Sequence, residues 1–439
     1  MSKNKLSSWG KYPKLEQISH ASEWRSGIPH VLDQLISKHG TFLPYGNGRS
    51  YGDSCLSISN NVLQMRTLNR FISVDWSSGR IVAEAGVTLE EVLSVCIPKG
   101  WFLPVTPGTK FVTLGGAIAN DVHGKNHHVR GTFGGHIAQF GLMRSDKHYI
   151  QCSPSHESNY FNATIGGLGL TGVILWVELQ LIPIESSSIT TQTIRFNSLN
   201  EFLQLSGELD HKHEYAVAWV DCLAKGKEVG RGAYMVGNHC SSGDLVVNKS
   251  RKFNVPFTPP ISAINQLTLK LFNTLYFHKH KPRSYGVVDY EPFFYPLDSI
   301  SNWNRIYGGK GFQQYQCVIP VDTAYDAILE LLSEIARSGQ GSFLAVLKRC
   351  GNITSPGYLS FPLPGISLAL DFAQSEYIEH KLFPKMDKVV RSAGGRLYPA
   401  KDAHMSPDDF RHYYPTWESI ERLRDPAINS HFWKRVTSK

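Results

Sequence analysis

No apolar run in the 439 residues is long enough to span a bilayer, and the opening MSKNKLSSWGKYPK has no signal-peptide core. The compartment this implies is the cytoplasm. The cysteines, at positions 55, 96, 152, 222, 240, 317 and 350, are odd in number, dispersed and never in CxxC spacing. That pattern excludes a disulfide framework and a zinc ribbon, and the thiols read as buried and reduced. Repeats and low-complexity tracts are missing too. Acidic residues are absent from Leu245 to Val288, where Lys249, Arg251, Lys252, Lys270, Lys279, Lys281 and Arg283 lie, and this segment supplies most of the net charge of +8. Such a surface calls for an anionic partner, a phosphate or lipid headgroups. Nucleic acid is not expected, because no stacking aromatics are interleaved with these bases along a sheet.

Glycine and histidine are abundant in one stretch. Val105 to His136 holds seven glycines and four histidines in 32 residues. Glycines at this density mark backbone that turns tightly or closes on a ligand. FLPYGNGRSYGDS, residues 42–54, is a second glycine loop; its amides can form an anion-binding nest. This loop lacks the Gly-Lys-Ser/Thr ending of a P-loop and does not match GxGxxG. Of the histidines, His123, His127 and His128 are not in HExxH spacing and have no acidic third ligand nearby, so no metal is expected. His123 suits acid–base work.

The remaining chain alternates short strands and helices, as in an α+β protein. Residues 22–39 predict a helix stopped by Gly40, and 62–86 predict strands around a Ser-Ser-Gly turn. Thr88 and Glu91 form a capping box. Residues 173–183 read as a strand, and ITTQTIRF and YAVAWVDCL alternate like half-buried strands. Thr258-Pro259-Pro260 predicts a helix start, with Ile264, Leu267, Leu271 and Leu275 as one apolar stripe. That stripe faces either the core or a membrane surface. GFQQYQCVIP is a strand with Gln314 and Gln316 on one face. Asp322 is expected to cap a helix from Ala324 to Ser338. Two further strands are FLAVLKRC, where Lys348 must snorkel or meet an anion, and ISLALDF. Residues 375–393 predict a helix stopped by Gly394-Gly395. Lys401, between Pro399-Ala400 and Asp402, is either a paired surface lysine or a base beside a bound ligand.

YGNGRSYGDS, PGT at 107–109, LGGAIANDVHGKNHH, IGGLGLTG, WNRIYGGKGFQQYQCVIP and GGRLYPAKD together resemble the vanillyl-alcohol-oxidase-type FAD-linked oxidases. Within them the similarity is to the branch that oxidises decaprenylphosphoryl-β-D-ribose during arabinan precursor synthesis, and it covers nearly the whole chain. The resemblance implies a two-lobed α+β fold. An FAD-binding lobe of PCMH type would span 1–185, an antiparallel-sheet substrate lobe 186–400, and residues 401–439 would return to the FAD lobe. It implies flavin contacts at Gly48, Arg49, Ser50, Tyr51, Gly108, Thr109, Gly115, Gly116, Asn120, His123 and Gly172. Lys401 and His123 would be catalytic, and Lys125, Gln314, Gln316, Lys348 and Trp219 would bind substrate.

The implied reaction is hydride transfer from the 2′-OH carbon of a polyprenylphosphoryl ribose to flavin N5. A separate NAD(P)H-dependent reductase would take the keto product, and residues 245–288 would touch the inner face of the membrane. Many relatives attach the flavin to a histidine ahead of the loop serine; that position is Arg49, so dissociable FAD is expected. The family's active-site cysteine is Ala369, a neighbouring Asn is Ser367, and the tyrosine ahead of the PLD motif is Phe294. The alternatives are an alditol or aldonolactone oxidase on a soluble polyol, and a flavin-free lipid-phosphate binder.

Overall fold

A computed structural model of the protein describes residues 5–248 and 253–438. Lys249, Arg251 and Lys252 of the basic segment lie outside them. Apart from Trp101–Phe102, which pairs with Ile182–Pro183, the strands before residue 181 build two sheets. The first has four strands, Lys5–Leu6, Gln17–His20, Asn61–Gln64 and Leu43–Tyr45 in that order. The second has five, in the order Phe71–Asp75, Arg80–Glu84, Val173–Gln180, Ile137–Met143, Tyr149–Cys152. Helix Ile28–His39 buries Leu32 and Leu35 in the main core, and ends at Gly40 with φ 72°. The helix Leu89–Cys96 carries the expected capping box. Thr88 Oγ1 accepts from Glu91 N at 3.2 Å, and Glu91 accepts from Thr88 N at 2.7 Å.

From residue 188 onward, eight strands form one fully antiparallel sheet. Their order is Arg283–Asp289, Ser188–Phe196, Gly232–His239, Tyr215–Val220, Ala345–Cys350, Gly365–Ala373, Phe312–Pro320, Arg396–Leu397. Parity then decides function. Gln314, Gln316, Ala369 and Asp371 sit on neighbouring strands in the pairs Gln314↔Asp371 and Gln316↔Ala369. Helix Val321–Ser338 covers one face, burying Ile328, Leu331, Leu332 and Ile335. It starts three residues before the expected Ala324, so Asp322 lies in its first turn and does not cap it. The three C-terminal helices, Pro407–Tyr413, Trp417–Leu423 and His431–Thr437, pack back onto the early chain. Phe42 N donates to Ala427 O at 2.9 Å and His431 N to Leu56 O at 2.8 Å.

The helix expected at Thr258 begins instead at Gln266, capped by Asn265, and runs to Lys279. The segment ahead of it is tied at both ends without forming a helix: Phe253–Asn254 pairs parallel with Ile300–Ser301, and Ala263 N donates to Ile306 O. The helix start falls at the Asn265–Thr268 capping box and not at the Thr-Pro-Pro signal, because those bonds occupy backbone that a helix from Thr258 would need. Leu267, Leu271 and Leu275 point to solvent, while Leu269, Asn273 and Phe277 face inward. Among the described residues no helix is long and apolar enough to cross a membrane.

Candidate active site

The strand Leu43–Tyr45 ends in the loop Gly46–Tyr51, which opens into a cavity of about 690 Å³. Gly48 sits at φ 59°, and a Cβ there would fall 1.9 Å from the Tyr45 hydroxyl, so only glycine fits. Asn47 Nδ2 donates to Phe111 O at 2.8 Å and pins this loop to the Lys110–Phe111 turn that follows Pro107–Gly108–Thr109. Arg49 stacks its guanidinium over Trp9, 4.4 Å from the ring centroid. Thr113 caps the short helix Leu114–Ala119, and Gly115 N donates to Ala85 O at 2.9 Å, fixing the glycine pair against the five-stranded sheet. The wall is completed by Asn120, Leu168, Gly169 and Gly172.

The opposite wall comes from the eight-stranded sheet. Gln314, Gln316, Lys348, Ser367, Ala369 and Asp371 line it, and Lys401 closes it from the C-terminal segment. Lys401 Nζ lies 3.7 Å from the centroid of the Tyr51 ring. Asp371 is buried, accepts from Gln314 Nε2 at 2.7 Å and from the Tyr307 hydroxyl at 3.4 Å. Burial holds Lys401 below the ordinary lysine value while Asp371 opposes it, and burial raises the Asp371 carboxyl. Each charge thus favours the other's ionised form against the effect of burial.

His123 packs beside the stacked pair Phe361 and Tyr398, 5.4 Å from each ring. Its Nε2 is 3.1 Å from Gln316 Nε2; with the amide donating, the ring proton sits on Nδ1. That buried Nδ1 has no partner among the described residues. Burial, then the positive charge of Lys348, pushes its pKa well below the usual histidine value. His123 is thus a neutral hydrogen-bonding group and a weak proton acceptor. His127 and His128 are outside the cavity: His127 Nδ1 accepts from Gly351 N and His128 Nε2 meets His213 O.

Lys348 is buried and Lys125 half-buried at the cavity wall. Lys348 Nζ donates to Gly124 O at 2.8 Å and Lys125 Nζ to Phe294 O at 3.4 Å. Among the described residues neither is paired with a carboxylate. Burial, then Lys348, lowers Lys125 to about 8. Asp298, pushed up to about 6 by burial, accepts from Lys110 N at 2.9 Å beside the Thr109 turn.

The cavity collects every residue expected from sequence except Trp219. Its strand neighbour Val217 lines the wall instead. Trp219, two residues along the same strand, is covered by Tyr276, and its Nε1 donates to Phe343 O at 2.9 Å. Trp219 is therefore a buried packing residue, corrected from its expected role. Asp371, Asp298 and Tyr398 escaped the sequence reading; the alternation of the Gly365–Ala373 strand placed Asp371 on the same face as Ala369, a signal that was available.

Residues 30–153 match the model of an FAD binding domain. The chain is 32% identical to decaprenylphosphoryl-β-D-ribose oxidase of Mycolicibacterium smegmatis, over 96% of this chain and 94% of that protein. This chain belongs to that family of FAD-linked oxidases. Shorter similarities of 29% and 27% reach mouse L-gulonolactone oxidase and a putative D-arabinono-1,4-lactone oxidase of Neurospora crassa. They cover 37% and 40% of this chain, and 37% and 31% of those proteins. Family membership makes the chain an FAD-dependent oxidoreductase acting on a CH–OH group.

The cavity fits FAD. The amides of Asn47, Gly48, Arg49 and Ser50 find no backbone acceptor among the described residues, leaving a row of donors for an anion. A Cβ on Gly108 or Gly169 would meet no atom within 4 Å, so open space lies in front of both. The orphaned polar atoms Ser54 Oγ and His123 Nδ1 belong to residues of the same cavity. Residues 47–51, Gly108, Thr109, Gly115, Gly116, Asn120 and Gly172 are the ones that would hold the cofactor.

Proposed function

We propose that the protein oxidises the 2′-hydroxyl of a polyprenylphosphoryl-β-D-ribose to the ketone. The observation that carries this reading is the pair Lys125 and Lys348, one half-buried and one buried ammonium group without a carboxylate among the described residues, on the wall that also carries Gln314, Gln316 and His123. An unpaired buried cation is costly, and a substrate phosphate supplies the missing anion. A soluble alditol or lactone would leave both lysines without a counter-ion.

FAD, when bound, supplies the hydride acceptor, so the task of the chain is the hydroxyl proton. Lys401 Nζ, kept partly deprotonated by burial, takes it, and Asp371 is the charge that steadies the resulting ammonium. Gln314 holds Asp371 in place, while Gln316 and His123 orient the sugar. FAD is held without a covalent bond, since Arg49 offers no nucleophile. The ketone is a substrate for a separate NAD(P)H-dependent reductase, and the lipid tail places the enzyme at the membrane surface, on the inner face. The test is anaerobic mixing of the holoenzyme with polyprenylphosphoryl ribose, with alditols and with aldonolactones, following the visible absorbance of the flavin. Bleaching by the lipid-linked ribose alone is expected. Bleaching only by alditols or lactones overturns the reading.

A further inference from the structure

Helix Gln266–Lys279 exposes an apolar stripe, Leu267, Leu271 and Leu275 at 77%, 61% and 63% exposure. Four-residue spacing sets all three on one face. The opposite face is fixed in the protein: Leu269 packs with Trp303 and Tyr307, and Asn273 Nδ2 donates to Asp221 Oδ1 at 2.8 Å. The chain leading into the helix exposes Phe253, Phe257 and Ile261 as well, at 72%, 68% and 80%. Six exposed large apolar side chains on one helix and the chain leading into it mark a contact surface. Phe253–Asn254 pairs with Ile300–Ser301, which together with Trp303 lines the cavity. The exposed segment is therefore attached directly to the cavity wall.

We propose that this segment docks the protein on an anionic bilayer, at the lip of the cavity. The inference rests on the reading that the substrate is lipid-linked. Charge selects the occupant: exposed Lys270, Lys279, Lys281 and Arg283 accompany the apolar stripe, and no Asp or Glu occurs from 245 to 288. Basic side chains beside an apolar helix face suit a surface of anionic headgroups over acyl chains. A second copy of the chain is disfavoured, because a two-fold contact would bring the same cations against each other. Docking here lets a phosphopolyprenol slide its sugar into the cavity while its tail stays in the membrane.

The experiment is co-sedimentation of the holoenzyme with vesicles of phosphatidylcholine alone and of phosphatidylcholine with a one-third share of phosphatidylglycerol. It compares wild type with the variant L267S/L271S/L275S, whose residues are exposed and outside the cavity. Wild type is expected on the anionic vesicles and not on the neutral ones, with high salt weakening the binding. The variant is expected to lose about tenfold or more in binding. Its flavin spectrum, and its flavin reduction by a short-chain, water-soluble phosphoribose, should match wild type. Equal sedimentation of variant and wild type overturns the proposal. So does a wild-type dimer in solution that the variant abolishes. Vesicle binding without flavin reduction by the lipid-linked ribose would overturn the substrate reading and leave the docking intact. Reduction in detergent without vesicle binding would do the reverse.

Discussion

Arg435 is the side chain whose loss the structure makes most telling. It lies on the last helix, yet it reaches two loops of the active site. Its Nε and Nη2 meet Asp53 Oδ2 and Oδ1 at 3.0 and 2.8 Å, and Nη2 also meets Asp402 Oδ2 at 2.9 Å. Asp53 follows the cofactor loop directly, and Asp402 is next to Lys401. The two loops touch backbone to backbone: Tyr51 N donates to Ala400 O at 3.1 Å, and a Cβ on Gly52 would fall 1.7 Å from Asp402 O. Arg435→Met leaves two carboxylates, with side-chain exposures of 6% and 2%, facing each other without their cation. Removing one partner from such a buried cluster costs about 3–5 kcal/mol.

The sign of the pH effect follows from Asp402. Burial alone would raise its carboxyl, but Arg435 and then His404 overcome this and hold it below the ordinary value. A depressed carboxyl stabilises the fold above its unfolded value of about 3.9, and that stability fades as pH falls through the folded value. In the variant both carboxyls rise and take up protons in the folded state. The gap between variant and wild type should therefore be widest near neutral pH and shrink toward about pH 5. The assay is urea unfolding of the FAD-saturated proteins at several pH values. Arg435→Lys, which keeps the charge and loses the forked geometry, should recover part of the difference. A variant within about 1 kcal/mol of wild type at neutral pH, with no pH dependence, would refute the clamp.

Lys401→Met should lower kcat by about 10²–10⁴-fold while the flavin stays bound, measured by steady-state kinetics and by the visible spectrum. Lys125, lowered to about 8, is charged below that value and neutral above it; KM for a phosphorylated substrate is therefore expected to climb as pH rises through about 8, and the climb should vanish in Lys125→Met. Acid precipitation should release unmodified FAD into the supernatant, and flavin that stays with the pellet would contradict the assignment of Arg49. Thiol-directed inhibitors should leave no adduct in the cavity by mass spectrometry, because Ala369 carries no thiol and Cys55, the cysteine of the cavity, is pushed up to about 12 by burial.

Local chemistry was readable in the chain wherever one residue type had to do one thing. Gly48 and Gly40 hold left-handed backbone, and the Thr88–Glu91 box starts its helix at the expected residue. Strand alternation placed Gln314 and Gln316 together. What the sequence hides is direction and distance. The helix Gln266–Lys279 contains two stripes with the same spacing, Leu267–Leu271–Leu275 and Leu269–Asn273–Phe277, and the less apolar one is buried because Asn273 finds Asp221. Trp219 has the right parity for the cavity wall but lies too far along its strand. Arg435 and Asp53 are 382 positions apart, so no spacing rule could join them. Asp371 was passed over because one carboxylate at the end of an apolar strand looks like an ordinary strand terminus.

The cavity's charge balance ties these observations together. Arg49, Lys125, Lys348 and Lys401 line it, and the carboxylates that join them are Asp298 and Asp371. Burial raises both acids, so each is less able to offset the cations. A protein that only needed to fold would gain nothing from gathering one buried and three half-buried cations against two weakened anions. On the function proposed above, the excess suits a site that takes up two anionic partners: FAD, for which the amide row at 47–50 offers donors, and a substrate whose phosphate would be met by Lys125 and Lys348. Two of the four cations have a carboxylate of the cavity acting on them, Asp298 on Arg49 and Asp371 on Lys401. Asp371, fixed by Gln314 and Tyr307, is the charge that opposes the effect of burial on Lys401. Asp371→Asn removes that charge without removing volume. Burial then acts on Lys401 unopposed and lowers it further. The acid limb of the pH–rate profile should shift to lower pH, with flavin affinity unchanged; a profile that stays in place would mean that Asp371 serves packing alone.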